Sequence, residues 1–470
     1  MSGAALSFAL TLEEVLRGTH GALAPAAPRG TTPFAGVSID SRTMEPGQLF
    51  FAIAGPRFDG HDFLADVAAK GAAAAVVHRH LDAPPALPLI RVAETTRALG
   101  DLARHGRLAS ALPVVAITGS VGKTTTKDMT AALLALRGPV LKTEGNLNNQ
   151  YGLPLTLLRL RPEHTAAVLE MGMSAPGELR ALSAIARPDI AVITRVAPVH
   201  LEFFPSVDAI AEAKAEVLDG LPGDGVAVLN GDDPRVRRVG EARQKRIVWF
   251  GRDRRHDVSA ERWRGTPFGM RFDLRIGGQT VDIALPLPGP HFVMNFLAAA
   301  AVAHLQGIAP EAMAAAATHM TAGRHRGEVR RLREGVTLLD DCYNSSPDAL
   351  EAAVVALLMA PGRRRVAILG DMLELGPRGP ALHRERGASL ADRVDVVVGV
   401  GPLAKEILEG ARSAGLPAAS LHHFDDAGAA AAAIASIVER GDAVLVKGSR
   451  GLRLETVVDR LVAHFGERES

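Results

Sequence analysis

Apolar and polar positions along the chain fall into two repeating signals, short β-branched runs and longer segments with helical spacing. The runs "PVVAIT", "AAVLE", "DIAVIT" and "GVAVLN" are each bounded by polar or glycine-rich stretches and separated by segments with helical spacing of apolar residues. Runs buried on both faces and joined by helices predict βαβ units in a mostly parallel sheet. Nearer the start, "QLFFAIAG" and "AAAAVVH" predict strands, and "ETTRALGDLARHGRLAS" predicts a helix leading to a junction at Pro113. Residues 245–285 differ: "RIVWFG", "GMRFDLRI" and "QTVDIALPL" alternate as antiparallel strands do and predict an appended ribbon. From "TAGRHRGEVRR" the α/β rhythm returns in "GVTLLDD", "RRVAILGD", "VDVVVGVG" and "DAVLVKG". The alanine runs at 314–317 and 429–433 predict tightly packed helices. The expected fold class is α/β in three domains: a smaller N-terminal one at 1–95, a central P-loop ATPase-type sheet at 96–321, and a Rossmann-like domain at 322–470.

Length agrees with this division, since 470 residues at roughly 150 per domain make about three. Charge narrows the partners. Lys and Arg number 53 against 52 Asp and Glu, so no overall field draws the chain to nucleic acid or anionic lipid, and an anionic ligand must be held by local groups. The first twenty residues lack a basic leader and carry Glu13 and Glu14, which predicts an amphipathic helix instead of a signal peptide. No apolar run approaches the ~18 residues that span a bilayer. A soluble cytoplasmic monomer without membrane insertion is the expectation. Cys342 is the single cysteine, which rules out an internal disulfide and a thiolate zinc cluster.

Candidate chemistry starts at "AITGSVGKTTT", residues 116–126. The phosphate-loop pattern G-x-x-x-x-G-K-[ST] would need a glycine where Ile117 stands. The context nevertheless fits: a buried strand, a turn of Gly119, Ser120, Val121 and Gly122, then a helix opening with Lys123, Thr124 and Thr125. A helix N-terminus offers N–H groups and a positive dipole end to phosphate, Lys123 a point charge, and Thr124 a hydroxyl for magnesium. An ordinary glycine turn with an exposed lysine is the competing account. Glu170 closes the strand "AAVLE", and His200 follows "DIAVIT" in the next loop. Ligands of open parallel sheets lie beyond the carboxyl ends of strands, where Lys123, Glu170 and His200 would converge. Taken singly, a solvated carboxylate and a satisfied loop histidine are the plainer readings. Lys214, between Glu212 and Glu216, reads on spacing alone as a surface helix lysine. "GVG" at 399–401 lacks the third glycine of a dinucleotide fingerprint.

The loop "TGSVGKTTTK", followed by "TEGNLNNQYGLP", "LEMGM", "VAPVHLEFF", "AEAKAEVL", "LPLPGPHFVMNFLAAAA", "AGRHRGEV" and "LLDDCYNSSP", resembles the Mur ligases of bacterial cell-wall synthesis. With "SIDSRTMEPGQLFFAIAGPRFDGHDF", "LGDMLELG" and "LVKGSRG" the resemblance covers nearly the whole chain. The family uses a compact G-x-x-G-K-[ST] loop, so Ile117 ends the strand and no glycine is missing. The resemblance implies ATP-dependent joining of D-alanyl-D-alanine to UDP-N-acetylmuramoyl-tripeptide through an acyl phosphate. It assigns Lys123, His200 and Lys214 to catalysis, with Lys214 carbamylated. Two Mg2+ ions would be held by Thr124, Glu170, His200 and the modified Lys214. ATP would be met by Gly119 to Thr125 and by Asn295, Arg324 and Asp341. Asp40, Ser41 and Arg42 would receive the uridine end of the substrate, and Asn146 and Asn148 lie toward the metals. The third domain would close over ATP and bind the dipeptide, with "GDMLELG" and "VKGSRG" as candidates that could equally be strand-end turns.

Three departures stand out. Phe292 replaces an asparagine common in the family, "NSSP" at 344–347 replaces "NANP", and Cys342 stands where serine is frequent, as a structural residue and not a nucleophile. Rival readings are a sibling Mur or folylpolyglutamate-type ligase and, from another class, a P-loop nucleotide-dependent switch.

Overall fold

The computed structural model describes residues 10–24, 33–81, 86–199, 201–244, 246–266 and 268–468. His200 and the first nine residues of the predicted N-terminal helix lie outside them; the described part of that helix is Leu12–Thr19, capped by the Thr11 hydroxyl. Three sheets carry the described chain.

The first sheet has strands β1 (Ala22–Leu23), β2 (Val37–Ser38), β3 (Leu49–Phe51), β4 (Ala74–Val77) and β5 (Leu89–Arg91), in the order β1-β5-β4-β3-β2. All neighbours are parallel except β1 with β5. Both faces are covered: Leu49, Phe51 and Val76 pack with Leu99 and Leu102 of helix Thr95–Leu108, while Phe50, Ala75 and Val77 pack with Leu64 and Val67. This is why "QLFFAIAG" and "AAAAVVH" show continuous apolar runs without alternation.

The second sheet has nine strands: β6 (Val114–Thr118), β7 (Val140–Lys142), β8 (Ala166–Glu170), β9 (Ile190–Ile193), β10 (Val226–Asn230), β11 (Ile247–Gly251), β12 (Val258–Thr266), β13 (Gly269–Ile276) and β14 (Gln279–Leu285). Their order is β14-β13-β12-β11-β10-β9-β6-β8-β7. The expected ribbon needs correcting in one respect. Strands β12, β13 and β14 are antiparallel, but β11 pairs parallel with β12, so "RIVWFG" belongs to the parallel rhythm. Alternation reports which face is buried and is silent on the direction of the neighbour.

The third sheet has β15 (Glu328–Arg331), β16 (Thr337–Asp340), β17 (Arg364–Gly370), β18 (Val396–Val400), β19 (Leu421–Phe424) and β20 (Asp442–Lys447), in the order β15-β16-β20-β17-β18-β19. Only β15 runs antiparallel to its neighbour. The alanine runs do lie on helices, Pro310–Ala317 and Ala427–Ala433, with Ala317, Ala430 and Ala431 buried. No described helix is long and apolar enough to cross a membrane.

By internal packing the chain forms two compact units, one of Met1–Thr118, Leu134–Val192 and Ala213–Ala227, the other of Gly119–Leu133, Ile193–Glu212 and Val228–Ser470.

Candidate active site

In the second unit the turn after β6 is built on two glycines in conformations that other residues rarely adopt. Gly119 has φ +151, and a Cβ there would strike the Thr194 hydroxyl. Gly122 has φ +84, and a Cβ there would strike Asn295 Oδ1. The loop is then tied to the chain after β9: Ser120 N–H donates to the Arg195 carbonyl at 2.6 Å, Ser120 Oγ to the Ala197 carbonyl at 3.1 Å, and Thr194 Oγ1 to the Val121 carbonyl at 2.6 Å. That chain is itself fixed by two polar residues, Asn230 at the end of β10 and Asp233 just beyond it. Asn230 Nδ2 donates to the Thr194 carbonyl at 2.7 Å, and the Asp233 carboxylate accepts from Val196 N–H at 2.8 Å. Thr194, Asn230 and Asp233 went unread in the sequence. The available signal was "LNGDD", polar residues placed directly after a buried strand.

Helix Lys123–Leu134 begins at the turn, and Thr126 N–H donates to the Gly122 carbonyl at 2.9 Å. Lys123, Thr124 and Thr125 thus occupy the first turn, half-buried, where N–H groups and the dipole favour an anion. Lys123 Nζ donates to the Gly119 carbonyl at 2.9 Å and reaches Ser120 O at 3.4 Å, so the ammonium sits over its own loop. Asn295 is brought to Gly122 by helix Pro290–Leu305, which starts at Pro290 after Gly289 at φ +113. Loop, lysine and carboxamide therefore form one group.

Asp341 and Arg324 lie in the same unit on the third domain's side of the chain. Lys447 Nζ donates to Asp341 Oδ2 at 2.6 Å and to the Asn344 carbonyl at 3.0 Å. Burial raises the Asp341 carboxyl above its ordinary range, against the pull of Lys447. Arg324 is exposed, with its Nε donating to His325 Nε2 at 3.0 Å. Phe292 is buried against Gly327, where a Cβ would strike the ring, so position 292 is apolar packing here. The neighbouring His291 imidazole is held down to about 4 by burial and by the Lys447 charge. In "NSSP", Ser346 is the N-cap of helix Pro347–Met359, a task serine and asparagine perform about equally. Cys342 is buried, and burial together with Asp340 pushes its thiol far above the ordinary range, as a structural residue requires. In "GDMLELG" the Asp371 carboxylate accepts from Ala404 N–H at 2.8 Å at the start of helix Ala404–Ser413, which is a fold-stabilising use.

In the first unit Glu170 is buried at the end of β8. Its N–H donates to Thr143 Oγ1 at 3.0 Å, and its Oε1 accepts from Asn148 Nδ2 at 2.9 Å. Thr118 Oγ1 donates to the Met171 carbonyl at 2.9 Å, locking the ends of β6 and β8 together. Asn146 is exposed in the preceding loop, and its carbonyl accepts from Asn148 N–H at 2.8 Å. Lys214 overturns its pattern-based reading, being only 2% exposed. Spacing cannot foresee this, because flanking charges do not say which side of a helix meets the core; Glu216 itself is buried and accepts from Gly177 N–H at 2.9 Å. At the N-terminal sheet, Asp40 takes the Arg42 guanidinium at 2.9 and 2.7 Å and also its N–H at 2.9 Å. Arg42 lowers the Asp40 carboxyl to about 2, and Lys70 closes the turn by donating to the Ser41 carbonyl at 2.6 Å.

A buried strand, a tight glycine turn and a helix opening on Lys-Thr, set in a mostly parallel sheet, is the arrangement of the α/β nucleotide-binding enzyme class. Family profiles agree along the chain: the Mur ligase family catalytic domain matches residues 33–107, the Mur ligase middle domain 117–303, and the Mur ligase glutamate ligase domain 325–450. The chain belongs to the Mur ligase family. It is similar to UDP-N-acetylmuramoyl-tripeptide–D-alanyl-D-alanine ligase of Escherichia coli (strain K12), at 39% identity over 430 residues, covering 90% of this chain and 93% of that protein. Among solved structures it is similar to MurF from Acinetobacter baumannii, with a TM-score of 0.90, 33% identity, and 97% and 100% of the two chains covered. It is likewise similar to MurF ligase from Thermotoga maritima in complex with ADP, with a TM-score of 0.81, 31% identity, and 92% and 97% covered.

Proposed function

We propose that this chain is the ATP-dependent ligase that joins D-alanyl-D-alanine to UDP-N-acetylmuramoyl-tripeptide, yielding the pentapeptide precursor, ADP and phosphate. The observation that carries the reading is the Gly119–Gly122 bend with Lys123 over it and Asn295 against Gly122, within a chain of which 90% is covered by its similarity to a ligase of that name. The free carboxylate of the tripeptide attacks the γ-phosphorus of ATP, the bond to the β-γ bridging oxygen breaks, and ADP leaves. The amine of D-alanyl-D-alanine then attacks the acyl phosphate carbon, loses a proton, and expels inorganic phosphate.

Two anions meet in the first step, so the residues' task is to offset charge and to align. Lys123 and the helix N-terminus receive the β and γ phosphates, Gly119 to Thr125 wrap them, and Asn295, Arg324 and Asp341 hold the rest of the nucleotide. Thr124 and Glu170 offer the oxygen donors a hard cation prefers, and the Asn148 bond orients the Glu170 carboxylate, so the residues fit magnesium. Glu170, His200 and carbamylated Lys214 would hold a second ion, the burial of Lys214 being in keeping with a role other than solvation. Bound there, magnesium supplies electrostatic stabilisation of phosphoryl transfer. Residues 1–95, with Asp40, Ser41 and Arg42, receive the uridine end, and Asn146 and Asn148 border the metals. Residues 96–321 bind ATP, and 322–470 close over it and accept the dipeptide. The enzyme works as a cytoplasmic monomer.

The test supplies ATP, Mg2+, UDP-N-acetylmuramoyl-tripeptide and an acceptor panel. Phosphate release and a pentapeptide mass with D-alanyl-D-alanine, and neither with single amino acids or glutamate, is the expected result. Release without either peptide substrate would indicate a switch, and a preference for a single amino acid a sibling ligase.

A further inference from the structure

Arg324 is exposed, yet its guanidinium is not left to solvent alone. Its Nε donates to His325 Nε2 at 3.0 Å, and His325 Nδ1 lies 2.7 Å from Asp340 Oδ2. Arginine can only donate, so Nε2 must accept, and the ring proton sits on Nδ1 facing the carboxylate. Asp340 is fully buried at the end of β16; its other oxygen accepts from Cys342 Sγ at 3.1 Å, and Arg330 stands 3.8 Å away. His325 reaches this position with φ +60, a strained backbone for a histidine, and is stapled there by Tyr343 N–H donating to its carbonyl at 3.0 Å. His325, Asp340 and Cys342 could be taken for a metal cluster, but guanidinium groups already approach two of the three donors, which disfavours a dication.

We infer that His325, locked as its Nδ1–H tautomer by Asp340, is a positioning residue that aims Arg324 at bound nucleotide. This rests on the reading of Arg324 as an ATP contact. The line Asp340–His325–Arg324 runs from a buried anchor to an exposed cation, and it removes freedom that a long side chain would otherwise lose on binding.

Two measurements test it. Histidine-selective 15N spectra of the nucleotide-free protein, with His325→Gln as the assignment control, should show His325 protonated at Nδ1 and bare at Nε2; the opposite tautomer overturns the inference. ADP affinity is then measured for His325→Leu, His325→Gln, Arg324→Ala and the Leu–Ala double variant. His325→Leu should weaken ADP about tenfold. His325→Gln, which can accept from Arg324 and donate to Asp340, should stay near wild type. In the Arg324→Ala background, His325→Leu should add nothing, and two losses that simply multiply would overturn the inference. If the wild type bound no ADP, the nucleotide reading would fail, while the tautomer would still decide the link between His325 and Arg324. The tautomer also decides if His325→Leu does not fold.

Discussion

Gly122→Ala separates backbone strain from the geometry of the loop proposed to hold ATP. At φ +84 an L residue costs roughly 1–2 kcal/mol whatever surrounds it. The new methyl group would also strike Asn295 Oδ1, and Asn295 is a buried polar residue on helix Pro290–Leu305. Either the carboxamide turns away or the loop moves, and both displace groups proposed to grip ATP. Gly278, in the β13–β14 turn, has φ +78 with nothing within 4 Å of the added carbon, so Gly278→Ala bears the same strain without the collision. Both variants should melt a few degrees lower, Gly122→Ala by at least as much as Gly278→Ala. Only Gly122→Ala should lose ATP affinity and turnover, by at least about tenfold, since displacing one charge-stabilising contact is commonly worth more than 1.4 kcal/mol. Steady-state kinetics with ATP varied, beside thermal melts of both proteins, reads the difference. Equal kinetic losses in the two variants would refute the argument that the Gly122–Asn295 approach shapes the site.

Lys123→Ala should lower turnover about a hundredfold or more, on the order of 3 kcal/mol in the barrier, with little change in melting; single-turnover acyl phosphate formation checks it. Lys214→Ala should be substantially inactive and regain part of its activity with added short carboxylates, and a failure of every carboxylate tried would count against the carbamate. His291 titrates near 4 when folded against an ordinary 6.5, so between those values the unfolded chain binds more protons and stability falls as pH falls. Urea midpoints of the wild type should therefore drop from pH 6.5 to 4 more steeply than those of His291→Gln.

The sequence by itself determined the α/β class, the glycine turn between strand and helix, and the family, because each is written locally. Buried parallel strands need unbroken apolar runs, a tight strand-to-helix turn needs glycine at Gly119 and Gly122, and Lys123 must follow directly to stand in the first helical turn. Even Ser346 in "NSSP" is legible in this way, as a cap before Pro347. The tertiary structure alone decided what depends on contacts between distant segments. Pattern made Lys214 a solvated lysine, whereas packing buried it. It made 247–251 an antiparallel strand, whereas β11 runs parallel to β12. Nor could spacing reveal that Asn230 and Asp233 brace the chain that holds the loop, or that Asp340 fixes His325 and through it Arg324. Periodicity records which face of an element is apolar, and it is the neighbour brought up by the fold that fixes whether a polar group on that element meets water, a carbonyl or another charge.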